Sequence, residues 1–105
     1  MRGEALKGHL DLLLLAAVRA APAHGYAIIE ALRERSDGAF DLPEGTVYPA
    51  LHRLERAGLL SSRWSSESGR RRRVYELTRA GREALERHQE DWRRFAHGVS
   101  AVVDG

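Results

Sequence analysis

Residues 42–59 read LPEGTVYPALHRLERAGL, and they decide how the 105-residue chain is interpreted. Val47, Leu51 and Leu54 recur at intervals of four and three residues, which places apolar side chains on one face of a helix. Thr46 precedes this stripe and is a residue type that commonly caps helix N-termini. The stretch therefore predicts an amphipathic helix that starts after Thr46 and buries one face.

The opposite side of this predicted helix is rich in groups that can contact another molecule. Tyr48, His52 and Arg56 are spaced by four residues, and Pro49 and Arg53 flank them. Pro49 is expected in the first helical turn, where a missing N–H does no harm. A short helix with an aromatic ring, an imidazole and two guanidinium groups on its outer face indicates a binding surface.

Two further helices are predicted before this one, over about residues 7–20 and 26–36. Pro22 breaks the first of them, and Gly38 closes the second. The apolar run at residues 12–18 is far too short to cross a bilayer. It predicts a buried helix, and the chain is expected to have no membrane partner.

A basic hairpin is predicted after the amphipathic helix. Strands at about residues 59–65 and 73–77 flank a polar tip that carries arginines at 70–72. The chain has a net charge of only +2, yet residues 62–82 alone carry +5 and the remainder −3. A concentrated basic segment on a nearly neutral chain indicates an anionic partner, and consecutive arginines suit phosphate.

The last segment predicts a long helix from Thr78, its N-cap, to about Val103, with apolar residues at intervals of three and four. Such a helix is about 35 Å long and cannot bury its whole seam on so small a body. The sequence therefore predicts a homodimer, with a helix-turn-helix domain at residues 1–78 and a dimerisation helix at residues 79–105. The residues expected at the dimer interface are Leu10, Leu13, Leu14, Leu85, His88, Trp92, Phe95, Val99 and Val102.

The order of these elements is that of a winged helix-turn-helix. The predicted fold class is mainly α with a small β-hairpin, extended by the long C-terminal helix. In such a fold the third helix reads the major groove of DNA, and the hairpin, or wing, contacts the backbone or the minor groove. The chain has no cysteine, no glycine-rich phosphate loop and no nucleophile elbow, which argues against an enzyme, a metal site and any cofactor.

Three runs of the sequence resemble one family. HGYAII at 24–29 looks like the start of the second helix in PadR-type regulators, residues 42–59 resemble their recognition helix, and GRRRRVYELTRAG at 69–81 is similar to their wing. The resemblance covers about residues 6–103, and the single C-terminal helix looks like the short subgroup of the family. It implies a cytoplasmic, nucleoid-associated prokaryotic transcription factor. Such a regulator is a dimer on an inverted-repeat operator of double-stranded DNA and is usually a repressor released by a small-molecule effector.

The resemblance also implies roles for individual positions. Multidrug-sensing members of the family hold flat aromatic ligands between two tryptophans at the position of Trp92, and Phe95 would support this ligand site. A seam position demands an apolar side chain in any case, so Trp92 is either a dimer-core residue or a ligand platform. The positions that match DNA-contacting residues of the family are His24, Tyr26, Thr46, Tyr48, Pro49, His52, Arg53, Arg70, Arg71 and Arg72.

Structural interpretations stay open for several of these residues. Packing is the slightly favoured role of Tyr26. His52 is interpreted equally well as a DNA contact or as a solvated surface residue, and Trp64 is expected in the core or in support of the wing.

Two other functions also fit the sequence pattern. One is a winged helix used purely for protein–protein association, and the other is a small-molecule-binding dimer without a significant DNA role.

Overall fold

The computed structural model describes residues 8–105, which form four helices and a three-stranded antiparallel sheet. The helices are α1 (Leu10–Ala17), α2 (Gly25–Arg35), α3 (Glu44–Arg56) and α4 (Arg79–Val103). The strands are β1 (Ala23–His24), β2 (Leu60–Ser65) and β3 (Arg72–Leu77), with a short 3₁₀ turn (Glu67–Gly69) between the last two. The predicted fold class is confirmed, while the expected start of the first helix at about residue 7 lies outside the described residues.

The sheet contains one strand that the sequence pattern did not reveal. Its order is β1–β3–β2, so the predicted hairpin of β2 and β3 gains a third strand on the far edge of β3. In β1, Ala23 pairs with Tyr75 and His24 pairs with Val74. Two residues are too few to show an alternating pattern, which is why this strand escaped prediction. Its pairing holds the start of α2 against the wing.

The core lies where α1, α2 and α3 meet the sheet. Val47, Leu51 and Leu54, the predicted stripe of α3, are at most 1% exposed, so the buried face of this helix is confirmed. Tyr75 of β3 is the largest fully buried side chain and packs among them from the sheet side. This packing leaves the opposite face of α3 free to point away from the body.

The start of α3 differs from the prediction. The helix begins at Glu44 with Pro43 as N-cap, three residues earlier than expected. The Pro43 carbonyl accepts hydrogen bonds from the amides of Thr46 (3.0 Å) and Val47 (3.1 Å), so the first turn closes on Pro43. The prediction that Thr46 caps the helix is therefore wrong, and Pro49 lies in the second turn rather than the first.

The long C-terminal helix begins as predicted, with Thr78 as N-cap. The Thr78 hydroxyl oxygen accepts from the Gly81 amide at 3.0 Å and donates to the Gly58 carbonyl at 2.6 Å, which fastens the start of α4 to the end of α3. Only the first turns of α4 are buried, at Gly81, Ala84 and Leu85. The middle of α4 stays in contact with α1 and with His9, which precedes α1. The C-terminal part of α4 projects from the body and gives the protein its elongated dimensions of 54 × 28 × 21 Å.

The close approach of α4 to the body at Gly81 predicts a large effect on stability. A Cβ there would clash with the backbone carbonyl of Leu59, which cannot move aside as a side-chain tip could. Gly81→Ala is expected to lower the free energy of unfolding by about 1–3 kcal/mol, the usual cost of overpacking, in a denaturant titration. Gly98→Ala, in the same helix but with open space around it, should raise stability by about 0.5–1 kcal/mol. Equal effects of the two changes would contradict this packing.

Candidate nucleic-acid interface

The exposed face of α3 is a single line of four residues opposite the buried stripe. Gly45, Pro49, His52 and Arg56 follow one another at intervals of four, three and four, and all of them are exposed. Sequence analysis identified this face but not Gly45, which lies at its N-terminal end. The N-terminal end of this face, at Gly45, therefore carries no side chain, and its C-terminal end, at Arg56, is basic.

Tyr48 lies at one edge of this face rather than at its centre. The residue is half-buried, and its ring covers Gly25 at the start of α2. A Cβ at Gly25 would lie only 2.7 Å from the Tyr48 phenolic oxygen, so the ring needs a glycine beneath it. Tyr48 thus packs α3 against α2, a role that sequence reasoning did not assign, while it still borders the groove described below.

Arg53 lies at the other edge of α3 and is joined to α1. Its Nη1 and Nη2 donate to the two carboxylate oxygens of Asp11 at 3.2 and 2.6 Å. The hydrogen bond to Asp11 raises the pKa of the Arg53 guanidinium. Both side chains remain accessible, Arg53 at 52% and Asp11 at 32% exposure. So exposed an ion pair is worth about 0.2–1 kcal/mol, and Arg53 can exchange Asp11 for a stronger partner.

The base of the wing is fastened to α3 by a chain of polar contacts. Arg73 Nε of β3 donates to Ser62 Oγ of β2 at 2.7 Å, and Ser62 Oγ donates to Glu55 Oε2 of α3 at 2.5 Å. Arg73 Nη2 also lies 3.8 Å from the same carboxylate oxygen. Arg73 is therefore engaged inside the subunit, where it helps keep the wing and α3 in a fixed relation.

Trp64 lies on the surface of the wing. Its side chain is 53% exposed, so the prediction of a core residue is wrong and support of the wing remains. The guanidinium carbons of Arg71 and Arg73 lie 4.3 and 5.1 Å from its ring centroid, within range of a cation–π contact. The ring thus limits the side-chain conformations of Arg71 and Arg73, two of the four consecutive arginines at 70–73.

His24 connects the wing to the start of α2. Its Nδ1 lies 3.3 Å from the Ala27 backbone nitrogen, in the position of a helix cap, and its Nε2 lies 2.8 Å from Arg72 Nη1. Burial, and after it the positive charge of Arg72, lower the pKa of His24 below its usual value of 6.5. The imidazole is therefore uncharged at neutral pH, where α2, β1 and the wing meet.

These side chains surround one open groove of about 620 Å³ between α2, α3 and the wing, which we call the wing groove. Its lining is basic because four arginines face a single carboxylate among the described residues. Tyr26 lines it and is 56% exposed, so the favoured interpretation of this residue as a packing residue is wrong. The complete lining consists of His24, Gly25, Tyr26, Glu44, Tyr48, Trp64, Arg70, Arg71, Arg72 and Arg73.

Six of the ten predicted DNA-contacting residues meet in this groove, and four do not. Thr46, Pro49, His52 and Arg53 lie on α3 outside it, with Thr46 half-buried and the other three exposed. The groove also contains residues that sequence reasoning did not include. Trp64 and Glu44 belong to this group. The place of Trp64 depends on the register of the hairpin, and that of Glu44 on the start of α3, and the sequence pattern defined neither.

A second accessible surface runs along the projecting part of α4. Trp92, Phe95, Val99 and Val102 of the predicted seam are 44%, 58%, 43% and 82% exposed in the subunit. Apolar side chains in such a continuous row are unusual on the surface of a monomer. The row is the part of the predicted dimer seam that remains available to a partner.

Other residues predicted at the dimer interface are placed differently. Leu14 and Leu85 are 0% and 2% exposed because they belong to the core of the subunit, so the prediction that they contact a partner is wrong. Leu10, Leu13 and His88 are half-buried and keep some accessible surface. The interface that the subunit can offer is therefore centred further along α4 than the sequence pattern indicated.

An aromatic cluster joins α4 to the residue that precedes α1. The ring centroids of His9 and Trp92 are 5.2 Å apart in an edge-to-face arrangement, and Phe95 lies 6.2 Å from His9 and 6.1 Å from Trp92. A cavity of about 260 Å³ borders these rings. His9 and Trp92 are far apart in the chain, so no local pattern in the sequence connects them.

Two features are absent from residues 8–105. None of the helices there is both long and apolar enough to cross a membrane. In the same part of the chain, His, Asp and Glu side chains do not gather in groups of three or more that could hold a metal ion.

The fold and the wing groove define a winged helix-turn-helix protein with a basic, aromatic-lined face. Residues 14–87 match the family described as transcriptional regulator PadR-like. The chain is also 44% identical over 73 residues to a transcriptional regulator of Mycobacterium tuberculosis, an alignment that covers 70% of this chain and 65% of that protein.

Solved structures support the same assignment. A PadR-like transcriptional regulator from Bacillus cereus superposes with a TM-score of 0.86 at 26% identity, covering 98% of this chain and 99% of that chain. A PadR family transcription regulator from Clostridium difficile gives a TM-score of 0.77 at 35% identity, covering 93% of this chain and 100% of that chain. The chain belongs to the PadR-like family of transcriptional regulators, which confirms the resemblance found in the sequence. The family and these relatives are regulators, not enzymes.

Proposed function

We propose that this chain is a ligand-responsive repressor that binds an inverted-repeat operator as a homodimer in the prokaryotic cytoplasm. The observation that carries the proposal is that the start of α3, through Glu44 and Tyr48, and the four arginines at 70–73 of the wing border one groove. The exposed face of α3 lies next to this groove on the same helix. The relation of α3 and the wing is maintained by the contacts of Arg73, Ser62 and Glu55. A rigid pair of a helix and a basic hairpin matches the way winged helices grip a duplex.

In this proposal α3 enters the major groove and reads bases. Pro49, His52 and Arg56 are nearest the base edges because they form the centre of the exposed face. Arg53 joins them by leaving Asp11, an exchange that costs about 0.2–1 kcal/mol for so exposed a pair. A bidentate contact to guanine returns about 1–3 kcal/mol of discrimination, so the exchange is favourable on a correct sequence.

The wing supplies the sequence-independent part of the affinity. Arg70 and Arg71 are exposed at its tip and neutralise backbone phosphates. Stacking on Trp64 limits the rotamers of Arg71 before DNA arrives, which reduces the entropy lost on binding. Arginine suits this position because its planar fork can donate two hydrogen bonds to one phosphate.

The exposed row of α4 is proposed as the dimer seam. Apolar residues at intervals of three and four are what two helices need to pack side by side. A two-fold dimer would present two copies of α3 to the duplex, and half-sites about one helical turn apart would match it. The inverted repeat in the operator follows from this symmetry.

The cluster of His9, Trp92 and Phe95 is proposed as the effector site. Its cavity of about 260 Å³ is slightly smaller than the roughly 300–1,000 Å³ of ordinary ligand pockets, and a second subunit packed on α4 would add another wall. A flat aromatic ligand held there would act on α4 and so on the spacing of the two α3 helices. Repression would be released when this spacing no longer fits the operator.

The dependence of DNA binding on salt tests the proposed function. A regulator that neutralises several phosphates loses affinity with a slope of about −0.9 per phosphate when log K is plotted against log salt concentration. A module for protein–protein association, or a ligand-binding dimer without a DNA role, would show no such steep slope on a duplex. Fluorescence anisotropy with labelled duplex DNA at several salt concentrations measures it.

Arg53→Ala is expected to reduce discrimination between operator and random DNA by about 1–3 kcal/mol, because a base contact is lost. Arg33→Ala serves as the matched control, since Arg33 is also exposed and also paired with a carboxylate, Glu30, but lies on α2. Competition binding with operator and random duplexes measures the ratio of affinities. An equal loss on both duplexes would mean that Arg53 contacts the backbone and does not read sequence.

A further inference from the structure

The imidazole of His24 faces two hydrogen-bond donors at once. The Ala27 backbone nitrogen lies 3.3 Å from Nδ1, and Arg72 Nη1 lies 2.8 Å from Nε2. A neutral imidazole has one acceptor nitrogen, because its other nitrogen carries the proton. The ring can therefore satisfy only one of these two donors.

The shorter contact decides which donor is satisfied. Arginine stays protonated in proteins, so Arg72 can only donate and His24 Nε2 must be the acceptor. The proton then resides on Nδ1, which cannot accept from the Ala27 amide. Protonated His24 would accept from neither donor and would place a second positive charge beside Arg72. In the free protein the wing is thus held by a neutral histidine that does not complete the cap of α2.

An anion bound beside His24 and Arg72 would offer Arg72 an acceptor other than the imidazole. The wing groove brings the arginines at 70–73 of the wing, Glu44 and Tyr48 of α3 and Tyr26 of α2 around His24. The groove is open, and His24 lies where the groove meets the first residues of α2. This is the N-terminal end of the helix, which favours negative charge. His24 is the sole imidazole among the described residues that line it.

We propose that a DNA backbone phosphodiester binds between His24 and Arg72, and that binding takes up one proton from solvent at His24 Nε2. Arg72 turns its N–H groups from the imidazole to the phosphate, which leaves the Nε2 lone pair free to accept the proton. The resulting imidazolium and the guanidinium then both donate to phosphate oxygens. This inference rests on the proposed DNA binding and specifies the protonation state that the complex requires.

The sign of the pH dependence follows from the two states of His24. In the free protein, burial and Arg72 lower the pKa of His24 below 6.5, while a bound phosphate raises the pKa by stabilising the charged form. Between these two values binding takes up a proton, so affinity falls as pH rises, by up to about tenfold per pH unit for each subunit. The stability of the free protein has the opposite dependence. The contribution of His24 to stability is fully present above about pH 6.5 and is lost as pH decreases from there through the lowered pKa of the folded state.

His24→Asn is the variant that tests this proposal. Asparagine is among the best helix N-caps, so the start of α2 is preserved while the titrating group is removed. The wild-type protein is expected to bind a mixed-sequence duplex of about three helical turns more tightly as pH decreases from about 8 to 5. The His24→Asn variant should lose most of this dependence, and calorimetry in buffers of different ionisation enthalpy should find less proton uptake.

The other histidine near DNA provides the comparison. His52 lies on the exposed face of α3, and His52→Asn should keep the pH slope whatever it does to the affinity. A flat pH profile in the wild type, an unchanged slope in His24→Asn, or a slope lost in His52→Asn would overturn the inference. Salt-dependent binding without a pH slope would overturn this inference alone. If no duplex is bound at any pH, the proposed function fails together with it.

Discussion

Simultaneous replacement of Arg70, Arg71 and Arg72 with alanine is expected to weaken binding to operator and random DNA alike. All three side chains line the wing groove, and the first two are exposed at the tip of the wing. Each phosphate contact contributes about 0.9 to the salt slope, so a dimer that loses about six contacts should lose up to about five units of slope. Affinity at physiological salt should fall by a factor on the order of a hundred or more.

A change of net charge elsewhere on the surface provides the control for this prediction. Arg87, Arg93 and Arg94 are exposed on α4, and replacing them with alanine removes the same charge from each subunit. Charges farther than about 8 Å from the duplex are screened at physiological ionic strength, so this variant should nearly keep the wild-type slope. Both variants are measured by anisotropy across a salt series. If the two slopes fall equally, the wing does not grip the phosphates.

Val102→Asp is expected to convert the dimer into monomers. Val102 is 82% exposed in the isolated subunit, so a carboxylate there costs the fold of the subunit little. Two such charges facing each other in an apolar seam would be desolvated and would repel, which opposes association. Operator affinity should then fall by about 10²–10⁴, because each half-site is bound independently. Trp92→Asp should also give monomers, but it additionally breaks the contact with His9.

The residue before Val102 provides the matched control. Ala101 is exposed as well, but it points away from the seam, since successive residues of a helix are rotated by about 100°. Ala101→Asp adds the same charge at the same end of α4 and should remain dimeric. Sedimentation equilibrium distinguishes the two species. A dimer that persists in Val102→Asp would place the subunit contact elsewhere.

Local periodicity explains why much of the fold could be predicted from the sequence. The stripe of Val47, Leu51 and Leu54 and the cap at Thr78 depend on residues within one helix, and both are as expected. The start of α3 was misplaced because Thr46 is a common capping residue, whereas the Pro43 carbonyl closes the first turn. The start of α3 is therefore set by backbone hydrogen bonds to Pro43, which the capping preferences of residue types do not predict.

Contacts between distant segments were the part that the sequence could not reveal. Arg53 meets Asp11 across 42 residues, and Arg72 meets His24 across 48. No local pattern connects such pairs, since they depend on how α1 and β1 pack against α3 and β3. Gly25 is the sequence feature that could have indicated the close approach of α3 to α2, because only a glycine leaves room for the Tyr48 ring. Leu14 and Leu85 fit an interface by spacing, yet the core of the subunit buries them.

Selection of genomic DNA fragments by the purified protein at near-physiological salt tests the central claim most directly. A dimer that presents two copies of α3 should enrich one palindromic site, with half-sites about 10–10.5 base pairs apart from centre to centre. The affinity of this site should exceed that of random DNA by about 10³ or more. Recovery of fragments that share no sequence and bind no better than random DNA would contradict the account.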